Sequence, residues 1–173
     1  TKVAAYAIIR VLMVVLPEGR LILEPIIAVV AVMTMLLGPL GALAQTNLRR
    51  AIGFLVIGGI GALFAGLSLG TQHGIGGAVF YATHSMLTLT ALYLAAGVVE
   101  KTSGTQDIRS MGGIYAANSV LSIVFIVLVF AISGLPPFLG FWPKLLLVEG
   151  GIRAGDWFIV SGLLLNSFLT LIA

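Results

Sequence analysis

The sequence predicts an all-α protein that crosses a membrane several times, and three observations carry that prediction. Its 173 residues are 60% hydrophobic and only 9% charged, where a soluble domain has about 25% charged residues. The apolar runs are long and do not alternate, which argues against the strands of a membrane β-barrel. One such run is interrupted at Gly134, Pro136 and Pro137 and then carries a lysine, Lys144. That is the pattern of a discontinuous membrane helix with an ionisable residue just past its break.

The expected architecture is a polytopic helical bundle, with residues 1–173 as a single transmembrane domain fragment. About six membrane helices are expected, near 1–16, 23–45, 48–69, 76–100, 116–148 (broken at 134–137) and 157–173.

In the first helix Lys2 and Arg10 lie about 12 Å apart at helical rise. If residues 17–20 mark the membrane surface, Arg10 can snorkel toward it while Lys2 sits about 22 Å deeper. Only about fourteen mostly apolar residues follow Lys2 before Pro17, against the roughly 20 that a span needs. The helix is therefore expected to begin upstream of Thr1. The last apolar run also ends without a polar flank, so the sequence reads as an internal piece of a longer protein.

The second helix has Pro25 near its first turn, where proline is tolerated, and Gly38 and Pro39 late in its course. In the third, Gly58, Ala62, Gly66 and Gly70 recur every four residues, a small-residue stripe that lets helices approach closely. This stripe is packing, not chemistry. The fourth helix carries His84 near its middle, with Tyr81, Ser85 and Thr88 on one polar arc around it. A histidine there either hydrogen-bonds to a neighbouring helix or titrates, since an imidazole's ordinary pKa lies close to physiological pH. Tyr81 and Thr88 are placed to orient the ring or hold water.

Residues 116–148 form the broken helix. Taken straight, its 33 residues would be about 50 Å long against a hydrocarbon core of roughly 30 Å. The prolines cut the hydrogen-bond ladder, and the freed backbone groups survive only where protein or a wet cavity satisfies them. The last helix carries Asn166, Ser167 and Thr170 on one arc, a second candidate wet face.

Lys2, His84 and Lys144 are the ionisable residues expected at membrane depth. A permanent charge there costs on the order of 2.5–3.5 kcal/mol, so such groups can bind or release a proton as their surroundings change. Two lysines and a histidine joined by water could pass protons stepwise. No intramembrane carboxylate is read, so a complete cation path needs acidic partners from elsewhere. The supporting polar groups are Tyr81, Ser85, Thr88 and Asn166.

Several function classes fall away. The net charge of +3 is scattered with no polybasic patch, so nucleic acid is not an expected partner. The absence of cysteine excludes disulfides and thiolate metal sites. No nucleotide-binding, hydrolase or metalloprotease motif occurs, and no enzyme, cofactor or metal is expected. The glycine-rich GGIGALFAG at 58–66 lies inside an apolar span and is discounted. The basic loops at 47–50 and 101–109 fall on one side and hold Arg49, Arg50, Lys101 and Arg109, against Arg20 and Arg153 opposite. The positive-inside rule puts the first set in the cytoplasm.

TKVAAYAIIRV, QTNLRRAIGFLVIGGIG, AVFYATHSMLTLTALYLAAGVVE, GTQDIRSMGG and SGLPPFLGFWPKLLLVEGG, in this order, resemble the antiporter-like subunits shared by Mrp-type multisubunit cation/proton antiporters and respiratory complex I. GLPPFLGFWPKLLL is most similar to the D-type subunit of the Mrp Na⁺/H⁺ antiporter. The resemblance implies an antiporter-like fold of about fourteen helices with two inverted repeats, of which this chain is mostly the second. It implies that Lys2, His84 and Lys144 are the central bases of helices eight, eleven and broken helix twelve. It further implies the plasma membrane of a prokaryote, other subunits of a multisubunit antiporter complex and the lipid bilayer as partners, and protons and Na⁺ as transported ions.

Two departures stand out. Relatives often have an acidic residue and a lysine before the third helix, followed by Ala-Tyr-Ser-Ser, where this chain reads NLRR at 47–50 and GFL at 53–55. Many relatives carry a lysine about one turn after the histidine, where this chain has Thr88 and Leu89.

The expected function is therefore a proton-translocating subunit of a Na⁺(Li⁺)/H⁺ antiporter, a secondary transporter rather than an enzyme. The alternatives are a proton-pumping subunit of a complex I-type NADH- or ferredoxin-linked oxidoreductase, and a structural membrane module with no ion path of its own.

Overall fold

The computed structural model describes residues 2–15 and 17–173, with side chains at all of these except 13 and 17–21. Described secondary structure is helical apart from one isolated bridge. Helix α1 (Lys2–Arg10) passes into a five-residue π-helical stretch, Val11–Val15. Helix α2 (Pro17–Leu43) follows, then α3 (Leu48–Leu69) and α4 (Gln72–Ser103). A short α5 (Ile114–Ala117) leads into α6 (Ser119–Ser133), and α7 (Phe141–Ala154) and α8 (Trp157–Ile172) complete the chain. Three described helices hold stretches long and apolar enough to cross a membrane, Ile22–Leu43, Leu48–Leu69 and Gln72–Ser103. Helices α6 and α8 are shorter and apolar.

Side-chain caps explain where several helices begin. Asn47 accepts from Arg50 N, Thr71 from Gly74 N, Asn118 from Leu121 N and Asp156 from Ile159 N. Each satisfies one of the amides that a helix start leaves without a partner. Helix α2 starts at Pro17 rather than near residue 23, and it continues through Pro25 and Pro39. The side chain of Arg20, used in the loop charge comparison, lies outside the described residues.

Small residues bring the helices together. A Cβ on Gly38 would overlap the backbone of Gly58, and one on Gly61 would come within 2.6 Å of Met35 N. Helices α2 and α3 are therefore in backbone contact. Gly66 plays the same part between α3 and α4, where its Cβ would meet Gly74 O at 2.5 Å. Hydrocarbon tails are as apolar as leucine, so such close packing, not water exclusion, holds membrane helices together. The main core lies where α2, α3, α4, α7 and α8 meet, around Met35, Leu63, Ala78, Tyr81, Leu147 and Ile159. A second cluster joins α3, α4 and α6 around Ile52, Leu89 and Leu92.

The segments at 46–48 and 106–108 meet at one end of the bundle. Leu48 N donates to Gln106 O (3.3 Å) and Ile108 N to Thr46 O (2.8 Å). Arg49 Nε reaches Glu100 Oε2 at 2.8 Å beside this junction. The two basic loops thus share a side.

Candidate functional site

The break between α6 and α7 spans residues 134–140 and includes the Pro136–Pro137 peptide bond, which is cis. Several of its amide donors are paired within the chain. Gly134 N and Leu135 N donate to Phe130 O (3.1 and 3.3 Å), Phe138 N to Leu135 O (2.9 Å) and Phe141 N to Phe138 O (3.1 Å). The prolines have no N–H to satisfy. Pairing of this kind is what lets irregular backbone persist inside a membrane.

One carbonyl at the break is answered by a side chain. Lys144, in the first turn of α7, donates from Nζ to Ser133 O at 2.7 Å. That oxygen belongs to the last residue of α6, where the helix dipole concentrates partial negative charge. Gly134 makes room for this contact. Its φ of +83° is left-handed, and a Cβ there would lie 2.7 Å from Lys144 Cδ. The ammonium is thus held by a half-helix terminus, and no described carboxylate pairs with it. The lysine is 7% exposed.

His84 faces the same break from α4. A Cβ on Gly140 would overlap Ala131 O and approach His84 Cε1 at 3.0 Å, so this glycine lets the chain pass over the ring edge. His84 Nε2 lies 3.1 Å from Thr88 Oγ1, while Nδ1 is buried and has no partner among the described residues. A cavity of about 520 Å³ adjoins the ring, lined by His84, Thr83, Thr88, Val127, Pro137 and Phe138 among others.

Lys2 meets α4 one residue further on. Its Nζ donates to Ser85 Oγ, which itself donates to Ala82 O at 3.1 Å. A separate cavity of about 230 Å³ is lined by Lys2, Val56, Ser85, Leu89, Thr90 and Tyr93. Lys2 thus bonds to the residue next to His84, and Lys144 is bonded at the break that His84 faces. The three bases are therefore gathered around the middle of α4, with Ser85 beside Lys2 and Thr88 beside His84. Proton transfer among such groups needs water to bridge them, and the polar groups facing the two cavities include His84, Thr83 and Thr88 in one and Lys2, Ser85 and Thr90 in the other.

The other sequence-predicted residues sit differently. Tyr81 belongs to the main apolar core, its hydroxyl against Gly59. Asn166 is buried on α8 with Oδ1 facing Gly58, and no hydrogen bond between described residues joins it to Lys2, His84 or Lys144. Sequence reasoning missed Gly140 and Ser133, which act through backbone atoms and carry no chemical signal. It also passed over Glu100, which is 9% exposed and has one carboxylate oxygen without a partner among the described residues. An acid after Val98 and Val99, followed at once by Lys101, reads as a helix end meeting solvent. Among the described residues no group of three His, Asp or Glu side chains could hold a metal ion.

Comparison with known proteins places this arrangement in a family. Residues 1–170 match the family model described as NADH:quinone oxidoreductase/Mrp antiporter, TM. A chain named as antiporter subunit mnhD2 in Staphylococcus aureus strains JH9 and Newman is 29% identical over 171 residues, covering 99% of this chain and 34% of the relative. The Mrp complex from Dietzia sp. DQ12-45-1b contains a chain with a TM-score of 0.94 and 30% identity, covering 99% of this chain and 32% of that one. The membrane-bound sulfane sulfur reductase, an archaeal respiratory membrane complex, matches with a TM-score of 0.86 and 28% identity, over 97% of this chain and 35% of its counterpart. The chain spans about a third of the length of these relatives. It belongs to the antiporter-like membrane subunits of the NADH:quinone oxidoreductase/Mrp antiporter family.

Proposed function

We propose that the chain is the proton-carrying part of a subunit in a multisubunit Na⁺(Li⁺)/H⁺ antiporter of a prokaryotic plasma membrane, with Lys2, His84 and Lys144 as its relay. The observation that carries this reading is the setting of Lys144. A buried lysine bonded to a half-helix carbonyl, with no described carboxylate beside it, has little to hold its proton in place. Burial without a counter-ion costs more for the charged amine than for the neutral one.

The step is a proton transfer through bridging water. A lysine Nζ–H bond breaks, an imidazole N–H bond forms, and the positive charge moves from ammonium to imidazolium. A charge on one site repels a charge on the next, so arrival at His84 favours release from the far lysine. Other subunits supply the cation path and the acidic groups it needs. Ser85 holds the Lys2 ammonium toward α4, and Gly134 and Gly140 keep Lys144 and His84 close to the break. Tyr81 and Asn166 take no proton step in this scheme and wall the bundle around it.

Lys144→Ala in the assembled complex tests this. Na⁺-dependent dissipation of a pH gradient in vesicles is expected to fall about 10²-fold, the usual scale of losing a positioned acid–base group. Wild-type exchange would remove Lys144 from the mechanism. A second reading, a proton-pumping subunit of a redox-driven complex, draws on the likeness to the respiratory reductase. Co-purification with flavin and iron–sulfur subunits would favour it.

A further inference from the structure

We infer that Thr88 is a positioning residue that fixes neutral His84 as its Nε2–H tautomer and leaves Nδ1 as the atom that takes up a proton. Its functional half rests on the relay reading above. The tautomer itself follows from the hydrogen bonds around one hydroxyl.

A threonine hydroxyl has a single proton to donate. Thr88 Oγ1 directs it to His84 O, one turn back, at 2.9 Å. The same bond recurs along α4, from Thr83 to Val79 O, Thr90 to Met86 O and Thr102 to Val98 O, at 2.7–3.2 Å. The carbonyl one turn back is the standing acceptor for a threonine hydroxyl inside a helix. Once that proton is committed, Thr88 Oγ1 can only accept from His84 Nε2, 3.1 Å away. Nε2 must therefore carry the ring proton.

The other ring nitrogen leads to the same answer. Nδ1 is buried with no partner among the described residues. In the Nδ1–H tautomer it would be a buried donor with no acceptor among the described residues, while Thr88 would have to abandon the carbonyl to donate to Nε2. In the Nε2–H tautomer the only unpaired group is a lone pair, and unpaired acceptors are better tolerated than unpaired donors. The bond made by one ring nitrogen sets the state of the other, and here it leaves Nδ1 bare.

The test is ¹⁵N NMR of the full complex labelled at histidine ring nitrogens, with the His84 signals identified by their loss in His84→Gln. In the neutral ring of the wild type, Nε2 is expected in its protonated form and Nδ1 in its unprotonated form. Thr88→Ser keeps the hydroxyl and should reproduce that pattern. Thr88→Val should raise the Nδ1–H population several-fold and slow Na⁺-dependent proton exchange about tenfold, with Thr88→Ser recovering both. An Nδ1–H ring in the wild type, which is read even if Thr88→Val does not assemble, overturns the assignment. So does an unchanged spectrum in Thr88→Val. A shifted tautomer with undiminished exchange overturns the relay reading and leaves the assignment of the ring intact.

Discussion

A lysine held by a carbonyl oxygen rather than by an acid is sensitive to small displacements of backbone, and the two glycines at the break govern those displacements. Gly134 is left-handed, and its missing Cβ is the space that the Lys144 stem occupies. In Gly134→Ala the left-handed backbone alone costs about 1–2 kcal/mol, and the methyl group pushes the lysine off Ser133 O. The complex should still assemble while Na⁺-dependent proton exchange drops at least about tenfold; unchanged exchange would mean that the Ser133 contact is incidental. Gly140→Ala should do more harm, since its methyl overlaps the Ala131 carbonyl oxygen and crowds the His84 ring. A lower thermal midpoint for Gly140→Ala than for Gly134→Ala, measured in one detergent, checks the ranking.

Helices α3 and α4 show how local packing fixes the site. Gly61 lets α2 rest on α3 with Met35 N within 2.6 Å of where a Cβ would stand. Overfilling such a contact costs about 1–3 kcal/mol, so Gly61→Ala should lower stability by that amount without touching the relay. At the other end of α4, Glu100 is buried and Arg49 is its partner. Arg49 is half exposed, so losing it leaves a buried carboxylate uncompensated, whereas losing Glu100 leaves a charge that solvent can reach. Arg49→Gln should therefore destabilise more than Glu100→Gln in paired thermal denaturations; equal effects would show that the pair adds nothing to stability.

The helical class and the break at Pro136–Pro137 were legible in the sequence, because apolar run length and proline placement report directly on backbone. So were the small-residue contacts of Gly58 and Gly66. The roles of Gly140 and Ser133 were not, since a carbonyl oxygen and an absent Cβ leave no trace in composition. Tyr81 shares the polar arc of His84 on a helical wheel yet packs in the apolar core. An arc assigns a face and not a neighbour, and α4 is flanked by α3, α6 and α7.

At the scale of the molecule, the account makes Lys2, His84 and Lys144 successive members of one route, with α4 between the two lysines. Members of a series fail together, whereas independent sites fail in proportion. Sequence pattern leads one to expect the three bases at membrane depth, but their order around α4 depends on helix packing that pattern alone does not fix. The most direct measurement is Na⁺-dependent proton exchange in vesicles for Lys2→Ala, Lys144→Ala and the double variant of the intact complex. A single route predicts that all three fall to the same floor, about 10²-fold below wild type, with the double no worse than either single. Wild-type exchange in either single variant, or losses that multiply in the double, would contradict it.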